Sequence, residues 1–173
     1  MTFLNYSRTE ISFDLSQFTQ LESFYAVGQG LTSLNFSETC KETLVNMNVE
    51  DNYLTSFNFS EYHSLESFRC INNNISELDL STATKLKSLN CDLNYITALD
   101  ITKTKILTDL SLVDWFTCGN QKNNITLTLT LTGFQKANCT AEGWINDNPN
   151  VRFFDYVANG NAGGNGFTNG GIF

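Results

Sequence analysis

The feature that most constrains this chain is an internal repeat. Leu65, Phe68, Cys70, Asn73, Ile75, Leu78 and Leu80 recur 21 residues on as Leu86, Leu89, Cys91, Asn94, Ile96, Leu99 and Ile101. Upstream the same frame catches Leu44, Met47, Val49, Asn52, Leu54, Phe57 and Phe59. Before them come Leu21, Phe24, Ala26, Gln29, Leu31, Leu34 and Phe36, and downstream Leu107, Leu110 and Leu112. One interval is 23 residues, and the two extra residues fall in the polar turn 37–43, where added chain costs little. A half unit ending in Phe13, Asp14, Leu15 and Ser16 precedes the first complete one, as a terminal or truncated repeat would.

Each unit holds two short apolar-alternating runs, such as residues 65–70 and 75–80. Alternation turns one set of side chains inward and the other outward. A unit this small cannot bury its own apolar face. Stacking gives neighbouring units a shared core and lets their strands pair in parallel, ~4.8 Å apart. About five units would make a rod ~25 Å long. Asn52, Asn73 and Asn94 recur where the chain must turn after the first run. A buried carboxamide there supplies two donors and an acceptor to turn backbone that no sheet reaches. Cys70 and Cys91 share a repeat position with Ala26 and Val49, so they read as small buried apolar residues carrying free thiols.

In this register the units resemble leucine-rich repeats of the short 21-residue kind. The form with Cys at the sixth position and Leu-Asp-Leu-Ser after the Asn is similar to repeats of Bacteroidetes surface proteins. The step from Cys118 through Gly119 and Asn120 to Gln121, followed by a Thr/Leu strand, is similar to the way such arrays end. The resemblance covers about residues 10–157. It implies a mainly β repeat solenoid, a protein-binding or adhesive role, and an extracellular or cell-surface location. It says nothing about the ligand, which such arrays bind through variable positions.

Past the repeats, residues 125–131 alternate apolar residues with Thr, a strand. Thr132 and Gln135 have the spacing of a capping box. Phe134, Ala137, Ala141, Trp144 and Ile145 fall on one helical face. Residues 151–157 form a second strand candidate after the turn at Pro149. The division is therefore an array over 1–118, with 1–20 a partial unit, a strand–helix–strand cap over 119–158, and a Gly/Asn-rich tail over 159–173. Trp115, Trp144, Phe153 and Phe154 supply bulk to the cap, or alternatively an aromatic platform for a ligand. The tail reads either as disordered or as an extended segment anchored by Phe167 and Phe173.

Composition narrows function by exclusion. A 41% hydrophobic content provides a core, while a net charge of -8 leaves no basic stripe for nucleic acid or an anionic membrane. No apolar run could span a bilayer, and no signal peptide opens the chain. That start fits a cytoplasmic protein or a mature, trimmed form. The five cysteines form no Cys-x-x-Cys pair, so neither a zinc site nor any cofactor is expected. His63 stands in a polar turn, and no nucleotide, hydrolase or metalloprotease motif occurs, so no enzyme is expected.

What remains is the outward stripe of the first run. One column is Tyr25, Asn48, Arg69, Asn90 and Ser111. The other includes Ser67, Ser88 and Asp109, and Glu50, Asp51, Asp92 and Asp114 form an acidic margin. Rigid repeat sheets bind along such stripes. The expectation is a monomeric, non-catalytic recognition module for a protein or glycan. The alternative is a structural spacer or stalk segment of a larger surface protein.

Overall fold

The computed structural model describes residues 11–108, 116–141 and 151–156, with side chains placed over 15–108 and 116–138. It is mainly β. The strands are β1 Ile11–Leu15, β2 Ser23–Tyr25, β3 Leu31–Phe36, β4 Asn46–Asn48, β5 Ser67–Arg69, β6 Ser88–Asn90, β7 Ala98–Asp100, β8 Phe116–Thr117, β9 Leu127–Thr132 and β10 Val151–Tyr156. Two short α-helices, α1 Glu38–Thr43 and α2 Gly133–Ala141, interrupt them.

The first runs of the units starting at Leu21, Leu44, Leu65 and Leu86 lie in one parallel sheet that β8 completes, ordered β2-β4-β5-β6-β8. Phe24, Met47, Phe68, Leu89 and Phe116 occupy equivalent places and are buried. Successive turns thus stack as a parallel β-solenoid of about four turns, against the five units expected. Four strand spacings make the sheet ~19 Å wide.

The last rung departs from the simple period. Leu89 pairs with Phe116 and Asn90 with Thr117. The place next to Asn90, which the repeat frame gives to Ser111, therefore belongs to Thr117. Gln121 explains the choice. It offers a carboxamide three residues after Cys118, as Asn94 does after Cys91, and the rung can close only where such a group is available.

The second runs behave differently from expectation. Among the described residues the strands on this side are β1 paired with β3, and β7, β9 and β10 in one sheet, whereas 54–58 and 75–80 pair with nothing as strands. Ile75, Leu78 and Leu80 are still buried. Alternation reports which side chains face the core; it does not require a hydrogen-bonded neighbour. Turns that meet tightly in the main sheet splay here, leaving clefts of about 220 and 380 Å³ between them. At the N-terminal end β1 pairs in parallel with β3, matching Phe13 to Leu34 and Leu15 to Phe36, the alignment the repeat frame gives.

The two inserted residues are absorbed by α1. Ser37 caps this helix, its Oγ accepting from Cys40 N at 3.1 Å, and Cys40 fills the core beneath. The next unit makes only a 3-10 turn over Phe59–Glu61, capped by Asn58. Lys41 joins the two corners, its ammonium 2.8 Å from Glu38 and 2.6 Å from Glu61.

At the far end β9 lies between β7 and β10, parallel to both, with α2 between β9 and β10 in sequence. The capping box is formed. Gln135 N donates to Thr132 Oγ1 at 3.2 Å, and Thr132 N donates to Gln135 Oε1 at 2.9 Å. The inward face of α2 is not the expected one, however. Phe134 is 62% exposed and Ala137 is also exposed, while Gln135 is buried. Gln135 Nε2 donates to the carbonyls of Ile101 and Ile106, both at 2.9 Å. Ile101 O also accepts from Thr104 N and Thr104 Oγ1, at 3.0 and 2.8 Å, and the Gln135 amide joins that carbonyl to Ile106 O, so a polar side chain takes the inward position. Trp115, Trp144, Ile145, Val157 and the 159–173 tail lie outside the described residues. So do the side chains of Phe153 and Phe154.

Candidate functional site

A carboxamide ladder ties together the turns that follow the strands of the main sheet. Asn73 Oδ1 accepts from Leu54 N at 3.0 Å, and its Nδ2 donates to Val49 O and Cys70 O at 2.9 and 3.0 Å. Asn94 repeats the arrangement with Ile75 N, Cys70 O and Cys91 O. Asn52 does the same one turn earlier, accepting from Leu31 N and Gln29 N and donating to Ala26 O and Val49 O. Each amide thus ties its own turn to the preceding one. Just before each Asn stands a residue in the left-handed region: Asp51, Asn72 and Leu93, at φ 57°, 54° and 55°. The reversal aims the following carboxamide inward.

Lys122 adds a clamp. Its Nζ donates to Asn73 O and Asn74 Oδ1 and lies 5.2 Å from the Tyr95 ring centroid. Burial pushes its pKa down.

The outward stripe divides in two. Register places Tyr25, Asn48 and Arg69 side by side, with Ser23, Asn46 and Ser67 in the adjoining column. Tyr25 is 54% exposed, and Asn48, Ser67 and Arg69 are half-buried. Arg69 is held by Glu50, with Nε and Nη2 at 2.7 and 2.6 Å from Oε1. Asn48 Oδ1 accepts from Glu50 N at 3.0 Å, which fixes the amide and leaves its Nδ2 directed elsewhere.

Beyond Arg69 the stripe is closed. Asn90 is only 4% exposed and Ser88 is buried too, although both alternate with inward-facing Leu89. This corrects the expectation that Ser88 and Asn90 belong to an open face: the sheet is covered at this end. Asn90 Oδ1 and its neighbour Thr117 Oγ1 are buried without a hydrogen-bond partner. Asp109 and Ser111 lie outside the described residues.

The acidic margin is partly occupied. Asp51 accepts from Asn72 Nδ2 at 2.8 Å and Asp92 from Asn120 N at 3.0 Å, while Glu50 holds Arg69. No group of three metal-ligating side chains occurs among the described residues. No described helix is long and apolar enough to cross a membrane. Cys40, Cys70, Cys91 and Cys118 are all buried free thiols. Burial raises the pKa of Cys70 and Cys91, so both stay protonated. His63 is 57% exposed on its side chain and has a carboxylate nearby, which its sequence neighbours do not reveal: Glu42 of α1, 3.8 Å away.

Gln121 and Gln135 stand out in the sequence only by spacing, which did not reveal that both are buried and bond across turns. The signal for Gln121 was its place three residues after Cys118, the spacing of Asn94 from Cys91. For Gln135 it was only the capping-box spacing, which says nothing of its second role.

Fold and site together define a parallel β-solenoid with one open polar row on its main sheet. No family model, curated protein or solved structure matches the chain.

Proposed function

We propose that this protein is a leucine-rich-repeat recognition module of a cell surface, non-catalytic, binding a partner along the open row of its main sheet. The observation that carries this reading is the row of Tyr25, Asn48 and Arg69. Tyr25 and Arg69, of types enriched where proteins bind partners, stand in register with Asn48 on a backbone tied by the ladder. In this reading β9, α2 and β10 are the cap that closes the last turn of the coil.

Replacing Tyr25, Asn48 and Arg69 together by Ala should abolish partner capture while leaving the unfolding midpoint close to that of the parent. Capture at the parent level by the folded triple variant would overturn the proposal. A spacer role in a larger surface protein is the second reading. It is favoured by the burial of Ser88 and Asn90, which shortens the open row.

A further inference from the structure

We infer that the open row receives an uncharged saccharide, one pyranose ring stacking on Tyr25 with its hydroxyls taken by Asn48 and Asn46. This rests on the reading of the row as a binding face and names its ligand class.

Size comes first. Tyr25, Asn48 and Arg69 span two strand spacings, ~10 Å, and the row is two residues wide before Ser88 and Asn90 close it. A stable protein interface takes ~800 Å² from each partner, several times what this row offers. A ligand of one or two rings fits it.

Charge comes next. The one cation of the row, Arg69, is neutralised by Glu50 at 2.6 Å. The row therefore offers neither an unpaired cation for an anionic ligand nor an unpaired carboxylate for a cationic one.

The remaining chemistry is an aromatic face beside amides. Tyr25 is exposed, and so is Val27 two residues on, which alternation places on the same side. Among the described residues nothing bonds to the Tyr25 hydroxyl or to Asn48 Nδ2. Asn46 donates to Ser23 Oγ at 3.2 Å, which leaves its Oδ1 to accept. One apolar platform, one free amide donor and one free carbonyl acceptor match a sugar ring, which has an apolar face and hydroxyls that both donate and accept.

The test uses the full chain, with the Tyr25 ring and Asn48 side-chain amide resonances followed by NMR. The probes are neutral methyl pyranosides and their disaccharides, beside uronate and sulfated counterparts. At least one neutral sugar should shift both resonances saturably, with affinity unchanged within about twofold up to about 0.5 M salt. Tyr25→Ala should weaken that binding at least tenfold and Tyr25→Phe by less than about threefold. Binding only of the charged sugars, or neutral binding that survives Tyr25→Ala, overturns the inference. Silence with every sugar also overturns it. A photo-cross-linker at position 25 then separates the two proposals. A protein partner that attaches there, and is lost with Asn48→Ala, keeps the binding face and removes only the saccharide. No partner removes both.

Discussion

Asn94 and Gln121 make the same connection on successive turns of the coil with side chains of different length. Asn94 Oδ1 accepts from Ile75 N and Gln121 Oε1 from Ile96 N, both at 3.0 Å. Each amide nitrogen donates to the carbonyl three residues before it and to the equivalent carbonyl one turn earlier. The extra methylene of Gln121 lets the last rung close although the chain arrives by a longer route. Gln121→Asn should therefore pull the amide away from Ile96 N and cost about 1–3 kcal/mol. Asn94→Leu strands several buried backbone groups at once and should cost at least about 3 kcal/mol. Urea unfolding midpoints check both, and a Gln121→Asn protein as stable as the parent would contradict the assigned role.

Leu93 is the one branched apolar residue among the left-handed positions that precede ladder asparagines. It sits at φ 55°, where Asp51 and Asn72 stand on the preceding turns. The left-handed region costs an ordinary L-residue roughly 1–2 kcal/mol, and Asn tolerates it better. Leu93 is 36% exposed, so little burial is lost on replacement. Leu93→Asn should raise stability by about 0.5–1 kcal/mol, read as a higher thermal midpoint. A lower midpoint would mean that Leu93 packs to more effect than its exposure suggests.

Thr117 Oγ1 is buried with no partner. Valine has nearly the same shape without the hydroxyl. Thr117→Val should be neutral to stabilising, by up to about 1 kcal/mol in urea unfolding. A clear loss of stability would show that the hydroxyl is bonded.

Acid should loosen the corner at α1. Hydrogen bonding from Lys41 holds the Glu61 carboxyl below its ordinary 4.5, and hydrogen bonds from Ser81 hold Asp79 below its ordinary 3.8. A carboxyl whose pKa is lower in the folded chain contributes stability above its unfolded value. That contribution is lost as pH falls through the folded one. Urea midpoints should therefore decline as the pH drops below about 4.5. Lys41→Met should flatten the part of that decline due to Glu61. Parallel pH profiles for the two proteins would remove Lys41 from the account.

The four described thiols are buried, with Cys70 and Cys91 kept protonated by burial. In native buffer they should react with a thiol reagent only at the rate of unfolding. Reaction should be rapid in denaturant. Fast labelling of Cys70 in the native chain would contradict its position in the spine.

The period and the carboxamide column were legible in the sequence because both are imposed turn by turn. A residue that must bury its side chain, or aim an amide inward, has few substitutes, so Leu89 resembles Phe68 and Asn94 resembles Asn73. The last rung was not, because apolar spacing at Leu107, Leu110 and Leu112 imitates the frame, while Phe116 and Thr117 complete it. Local hydrophobic pattern cannot count a detour in the chain; only the Cys118 to Gln121 spacing could. The stripe was legible as far as Arg69 and failed at Ser88 and Asn90. Alternation gives the direction of a side chain and not what lies over it. On α2, Phe134 and Ala137 suggested an apolar inward face. Gln135 takes the inward place instead, its amide bonding the turn carbonyls of Ile101 and Ile106.

The corner at α1 shows where this molecule can grow. Two added residues were wound into a capped helical turn, and β2 and β4 kept their pairing from Ser23 with Asn46 through Tyr25 with Asn48. The corner can therefore change its length without shifting a neighbouring strand, provided that the Ser37 cap and the buried Cys40 are kept.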